Sequence, residues 1–215
     1  KAGAADAVTT LTVTRELPTP PPETTASRSL LFVPGSLEPS TALILQPGEV
    51  VALAATATSG HTVSARVAGR SVPLDEQRHP VTGLPTGVYR ANFVVPTVAE
   101  DVEGTSVVFR IDAAGTVEGA RELEESAAGS LTIWAPDRVR LMRVTSDYAS
   151  VAYGVHEVRL GGPYMGEFTS GTIVRATGGR GNHLRVRLGD SLDGWMSARD
   201  LEPAPAGTPT DGKGE

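Results

Sequence analysis

Cysteine is absent from the 215-residue chain, which excludes disulfides, thiolate metal sites and thiol nucleophiles. That composition suits either an intracellular protein or an envelope protein that avoids thiols. Aromatic residues are also scarce, at 5%, so a core has to be built from small branched side chains. No apolar run approaches the roughly 18 residues that would cross a bilayer as a helix. An excess of basic charge is missing too: 19 Lys and Arg face 25 Asp and Glu, for a formal charge of −6. Phosphate binding needs the opposite balance, which argues against nucleic acid as a partner. The acidic excess lies wholly in residues 1–133, with 9 basic and 15 acidic groups, whereas residues 134–215 carry 10 of each.

Glycine and proline are plentiful, at 24 and 16 residues, and both resist long helices. Residues 1–29 hold one strand-like run, 11–15, and then a stretch rich in proline from Leu17 to Thr25. Consecutive prolines lack backbone donors and hold an extended polyproline path, so this segment is expected to be a linker. From Leu30 short apolar runs recur about every ten residues, the pattern of an antiparallel sandwich or barrel. They lie at 30–33, 41–45, 50–57, 62–67, 72–74, 88–95, 105–111 and 131–134. In 62–67 the residues Val63, Ala65 and Val67 alternate with Ser64 and Arg66, as a half-buried strand requires. Ala68-Gly69-Arg70-Ser71 is expected to close a tight hairpin, with Thr86-Gly87 and Glu103-Gly104 marking further reversals. The stretch 117–127 has four glutamates and two large apolar residues. It offers little to bury, and is expected to be an acidic surface loop or frayed turn, or a connection between domains.

A second group of runs follows at 139–144, 148–153, 155–160, 164–168, 172–176 and 184–188, and then Gly194-Trp195-Met196. Leu184, Val186 and Leu188 alternate strictly with Arg185 and Arg187. The tail from Glu202 to Glu215 has no large apolar residue to repay its ordering entropy and is expected to be a flexible linker. The start at Lys1, with neither Met nor a signal-like apolar stretch, leads to the expectation of a processed or excised segment.

Two sets of motifs carry a family likeness. Gly171-Thr172-Ile173-Val174-Arg175, then Leu184-Arg185-Val186-Arg187-Leu188, then Gly194-Trp195-Met196 and Asp200-Leu201, resembles a bacterial SH3-like module. In such a barrel glycines turn the corners and one Trp fills the end of a small core. Pro34-Gly35-Ser36-Leu37-Glu38-Pro39, Leu45-Gln46-Pro47-Gly48-Glu49, Val72-Pro73-Leu74 and Gly87-Val88-Tyr89-Arg90 precede it. The combined order is similar to the non-catalytic N-terminal region of some bacterial N-acetylmuramoyl-L-alanine amidases. The likeness covers residues 30–202 and implies an all-β chain: an immunoglobulin-like β-sandwich at 30–134, an SH3-like barrel at 135–202 and a flexible linker at 203–215. It further implies a cell-envelope location and a role in positioning or regulating a peptidoglycan hydrolase. Peptidoglycan or a downstream catalytic domain would be the partner. Those amidases use zinc, but none of their zinc-ligand or base residues has a matching segment here. No activity and no cofactor is therefore expected of this chain itself, and zinc belongs to a catalytic domain outside it.

The residues themselves offer no catalytic or metal constellation. His61, His79, His156 and His183 are scattered without ligand spacing, and no Gly-x-Ser-x-Gly elbow is present. Gly178-Gly179-Arg180-Gly181-Asn182 is expected to be a long hairpin loop, with anion binding through its amides as the sharper alternative. Arg185 and Arg187, together with Tyr148, Tyr153, Tyr164 and Trp195, form the candidate binding face: aromatic rings to stack on sugars and guanidinium groups to pair with carboxylates. The competing reading is an ordinary solvated arginine face over an aromatic core. A protein-interaction module that never touches glycan is the alternative function.

Overall fold

A computed structural model describes residues 29–114, 121–136, 138–156 and 159–209. The expected strand at 11–15, the proline-rich segment, residues 117–120 and the last six residues lie outside the described residues. Within them the chain is all-β, with fourteen strands and one short 3₁₀ turn at Ala198–Asp200. The strands are β1 (Leu43–Leu45), β2 (Val50–Thr56), β3 (Thr62–Val67), β4 (Arg70–Arg78), β5 (Pro85–Val94), β6 (Val102–Asp112) and β7 (Glu122–Ile133). There follow β8 (Arg140–Val144), β9 (Tyr148–His156), β10 (Arg159–Thr169), β11 (Ile173–Arg180), β12 (His183–Arg187), β13 (Asp193–Ser197) and β14 (Leu201–Pro203).

The strands join in one large open sheet, in the order β10-β9-β13-β12-β11-β1-β7-β6-β3-β4-β5-β2, with β8 and β14 branching from β11. Two separate cores sit on this sheet. The first gathers Leu53, Val63, Ala65, Tyr89, Phe109, Ile111, Leu131 and Ile133 from β2, β3, β5, β6 and β7. β4 lets the sheet fold back over this core, because its first half pairs with β3 up to Leu74 and its second half pairs with β5 from Asp75 onward. Tyr89 is pinned inside: its hydroxyl donates to the Thr58 carbonyl at 3.0 Å and accepts the His61 amide at 3.3 Å. Burial pushes its phenol up to about 12. The second core is smaller and built around Val144, Ala149, Val151, Val174, Val186 and Met196.

Several sequence expectations hold in detail. β3 spans 62–67 with its alternation intact, and Ala68 and Gly69 both take positive φ (46° and 76°), as a twist-matched two-residue hairpin needs. Others are corrected. Residues 122–127 are neither a loop nor a frayed turn but the start of β7, paired residue by residue with β6 from Asp112↔Glu122 to Val108↔Ser126. Glu122 and Glu124 lie on the face away from the core and are met there by arginines, Glu122 by Arg110 at 2.6 Å and Glu124 by Arg66 at 3.9 Å. Gly87 and Gly104 lie inside β5 and β6 as irregularities in pairing, not at reversals. The run at 155–160 is not one strand; it contains the end of β9 and the start of β10. Glu202 and Pro203 are not linker, since β14 pairs with β8 and Glu202 bridges Arg143.

Two clamps and one strand tie the cores together. β1 is parallel to β7 and antiparallel to β11, through Leu43↔Arg180 and Ile44↔Gly179. This pairing corrects the reading of 178–182 as a long loop: Gly178 to Arg180 are strand, and only Gly181 and Asn182 turn the chain. A Cβ on Gly178 would fall 2.9 Å from the Ile44 carbonyl oxygen, so glycine is what lets β1 approach. In the first clamp Arg185 of β12 meets Glu49 at 2.5 Å. In the second clamp the Asp101 carboxylate accepts the Ala135 amide at 2.9 Å and pairs with Arg140, whose guanidinium also lies 5.5 Å from the Trp134 ring.

Candidate functional site

The backbone register decides which of the six candidate residues meet. Across β12, β13, β9 and β10 the residues Arg185, Trp195, Ala152 and Tyr164 stand directly opposite one another. Directly opposed residues share a face of a sheet. Trp195 and Tyr164 therefore flank Ala152 on the same face, two strand spacings or about 10 Å apart. Ala152, itself buried, is the small residue between the two rings. Alternation along β9 puts Tyr148 on this face as well, four residues away from Ala152.

Tyr153 does not join them. It follows Ala152 directly and so points to the opposite face, where it lines a small hollow with Gly162 and Pro163 at the tip of the β9–β10 hairpin. It is exposed because this hairpin extends past the second core. The tyrosines are surface groups, not core: Tyr148, Tyr153 and Tyr164 are 72%, 62% and 62% exposed. Nor does Trp195 fill the end of the core, as the barrel likeness implied. Met196, fully buried, takes that place. The Tyr164 phenol titrates above its ordinary value through local desolvation and then the nearby Glu167 carboxylate.

The two arginines divide. Arg187 stays at the surface, donating to Asp193 at 2.5 Å and to the Asp190 carbonyl at 3.1 Å. Arg185 is turned inward. It donates to the Thr177 hydroxyl at 3.1 Å and to the Thr177 carbonyl at 2.7 Å, and its ion pair with Glu49 reaches the first core's side. Glu49 in turn accepts the Gln46 amide at 2.7 Å. Arg185 thus joins the two halves of the chain, and its guanidinium is already occupied.

Beyond Trp195 the face continues into a cleft of about 920 Å³ between the two halves, lined by Arg180, Arg185 and Trp195 on one side and by β2, β4 and β5 on the other. Sequence reasoning missed this cleft, because its two walls come from runs more than eighty residues apart and no local spacing records their meeting. Among the described residues no group of three or more His, Asp or Glu is placed to hold a metal ion. No helix among them is long and apolar enough to cross a membrane.

His183 begins β12 at 5% exposure, with its Nδ1 unpartnered. Burial, and then the charge of Arg199, hold its imidazole below the ordinary value. The fold therefore favours neutral His183. Below pH about 6.5 the unfolded chain takes up a proton that the folded chain resists. Stability is expected to fall as the pH drops from there through the lowered folded value. Urea midpoints of the protein and His183→Gln, compared between pH 7.5 and 5, test this: the wild type loses more on acidification, and equal losses would refute the assignment.

No protein-family model matches the chain, and neither a curated protein nor a solved structure matches it significantly.

Proposed function

We propose that this chain is a non-catalytic segment that holds a peptidoglycan hydrolase, of the N-acetylmuramoyl-L-alanine amidase kind, on the cell wall. In this reading the part around the first core is an immunoglobulin-like sandwich and the part around the second an SH3-like barrel. The protein works in the bacterial envelope, and zinc chemistry resides in another domain. The motif likeness supports the family. The observation that carries the binding role is the row Trp195, Ala152 and Tyr164: two rings on one face of the sheet, either side of a buried alanine, with Tyr164 exposed and Trp195 partly so. Aromatic rings placed this way stack on the apolar faces of sugars, and Tyr148 extends the same surface.

Co-sedimentation with purified sacculi tests the reading. Trp195→Ala and Tyr164→Ala, each checked for an unchanged melting profile, are expected to weaken binding about tenfold when combined. Tyr153→Ala, on the opposite face, is expected to leave it unchanged. A chain that does not pellet with sacculi at low salt would sink the wall-binding role. The protein-interaction alternative has one observation in its favour: Arg185, the most central cation of the face, is committed to Glu49. Under that alternative the aromatic variants bind sacculi as the parent does and lose affinity for a protein partner instead.

A further inference from the structure

We propose that the cleft between the two cores is a groove for a carboxylate-bearing saccharide, with Arg180 and Arg90 reading the carboxylate. The inference rests on the glycan reading above and adds a second recognition surface and a ligand charge to it. At about 920 Å³ the cleft lies within the range of small-ligand sites. Its floor is low where β2 turns two alanines outward, Ala52 opposite Asn92 and Ala54 opposite Arg90, with the exposed Val50 at the end of the same row. Asp75 of β4 stands opposite Arg90 on its other side, and Gln77 follows on the same face.

The charges lining this groove are not equally free. Arg185 and Glu49 engage one another, and the Glu38 carboxylate accepts the Ser40 amide at 2.7 Å. Arg90 and Arg180 are exposed and form no ion pair with any described residue. They approach from different halves of the chain and line one cleft. Planar guanidinium groups match a carboxylate through paired hydrogen bonds, which an ammonium does not do as well. The Asn92 and Gln77 amides offer both donors and acceptors, as hydroxyl and acetamido groups need. Trp195, at the cleft wall, supplies a ring continuous with the stacking row. Among the described residues Glu38 and Asp75 both line the groove without an ion pair, and Asp75, directly opposite Arg90, partly cancels its field. The ligand carboxylate is therefore drawn toward Arg180.

Calorimetric titration with the disaccharide N-acetylglucosaminyl-N-acetylmuramic acid, against the same sugar with its lactyl carboxylate converted to a carboxamide, tests this. The acid is expected to bind about tenfold more tightly than the amide, the usual worth of a hydrogen-bonded charge. Arg180→Ala should abolish that preference, Arg90→Ala should reduce it, and Asp75→Asn should increase affinity for the acid alone. Equal affinities for acid and amide, or a preference that survives Arg180→Ala with Arg90→Ala, would overturn the inference. Sacculus binding by the same preparations separates the two ideas. If sacculi still pellet the doubly substituted protein and the parent has no carboxylate preference, the groove assignment fails and the stacking face stands. If neither sugars nor sacculi bind the parent, both fail.

Discussion

Gly129→Ala is expected to destabilise the protein by about 3 kcal/mol, near the upper end of what overpacking costs. Gly129 lies in β7 where the chain approaches β1, and its amide donates to the Pro39 carbonyl at 3.0 Å. A Cβ there would sit 2.6 Å from the Pro39 oxygen and closer still to that of Thr41. Both obstacles are backbone, so no side-chain rotation relieves them. The φ of Gly129 is not in the left-handed region, so the effect is steric rather than conformational. Alanine also restricts the unfolded chain, which offsets about 0.4–1 kcal/mol of the clash. For a chain of this size the net change corresponds to a fall in melting temperature of roughly 10 °C. Calorimetry decides it, and a fall under about 2 °C would show that the segment before β1 moves aside freely. Because the obstructed residues lead into β1, the variant is also expected to loosen the pairing of Leu43 with Arg180, visible as faster amide exchange at that junction.

Arg185→Ala follows at about 2 kcal/mol, and its effect reaches beyond the second core. Arg185 and Glu49 are 23% and 26% exposed at their side chains, partly shielded from solvent. Removing the guanidinium leaves the Glu49 carboxylate half-buried with only the Gln46 amide, and deprives Thr177, which is 3% exposed, of two donors. A double-mutant cycle with Glu49→Gln isolates the pair from the Thr177 bonds. A coupling of about 1 kcal/mol is expected in urea denaturation, and a value near zero would mean that Thr177, not Glu49, accounts for the loss. Since the pair spans the two halves, the unfolding transition should also broaden as the cores lose cooperativity.

Legibility of the strands followed the sidedness of their surroundings. β3 was readable because one face packs on the first core and the other meets water, so Val63, Ala65 and Val67 alternate with polar residues. The first half of β7 was not. Glu122, Glu124 and Glu125 gain their strand conformation from backbone pairing with β6, and Glu122 and Glu124 also from Arg110 and Arg66, partners that no local alternation marks. Gly178 and Gly179 misled in the opposite sense. Glycines imply turns when seen alone, yet here they are the narrow place in a strand against which β1 docks. The candidate face was legible as a set of residue types, and its membership was not. Tyr153 is turned away from Trp195 because Trp195 pairs with its neighbour Ala152, and Tyr164 joins Trp195 because irregular steps in the pairing of β9 with β10 set it opposite the same alanine; a step of one residue exchanges the faces of a strand.

By itself the sequence determined that the chain is all-β, that its strands are short and its corners glycine-rich, and that Val186 lies on the opposite face of its strand from Arg185 and Arg187. Those properties depend on neighbours two to ten residues apart, over which side-chain alternation and turn geometry act. Only the tertiary structure decided that β1 joins two cores in one sheet, that Arg185 is held by Glu49, and that Arg90 and Arg180 line the same cleft. Each of these is a meeting of segments separated by more than eighty residues. Such meetings are selected by the packing of whole sheets, through backbone hydrogen bonds and buried area that no local spacing encodes.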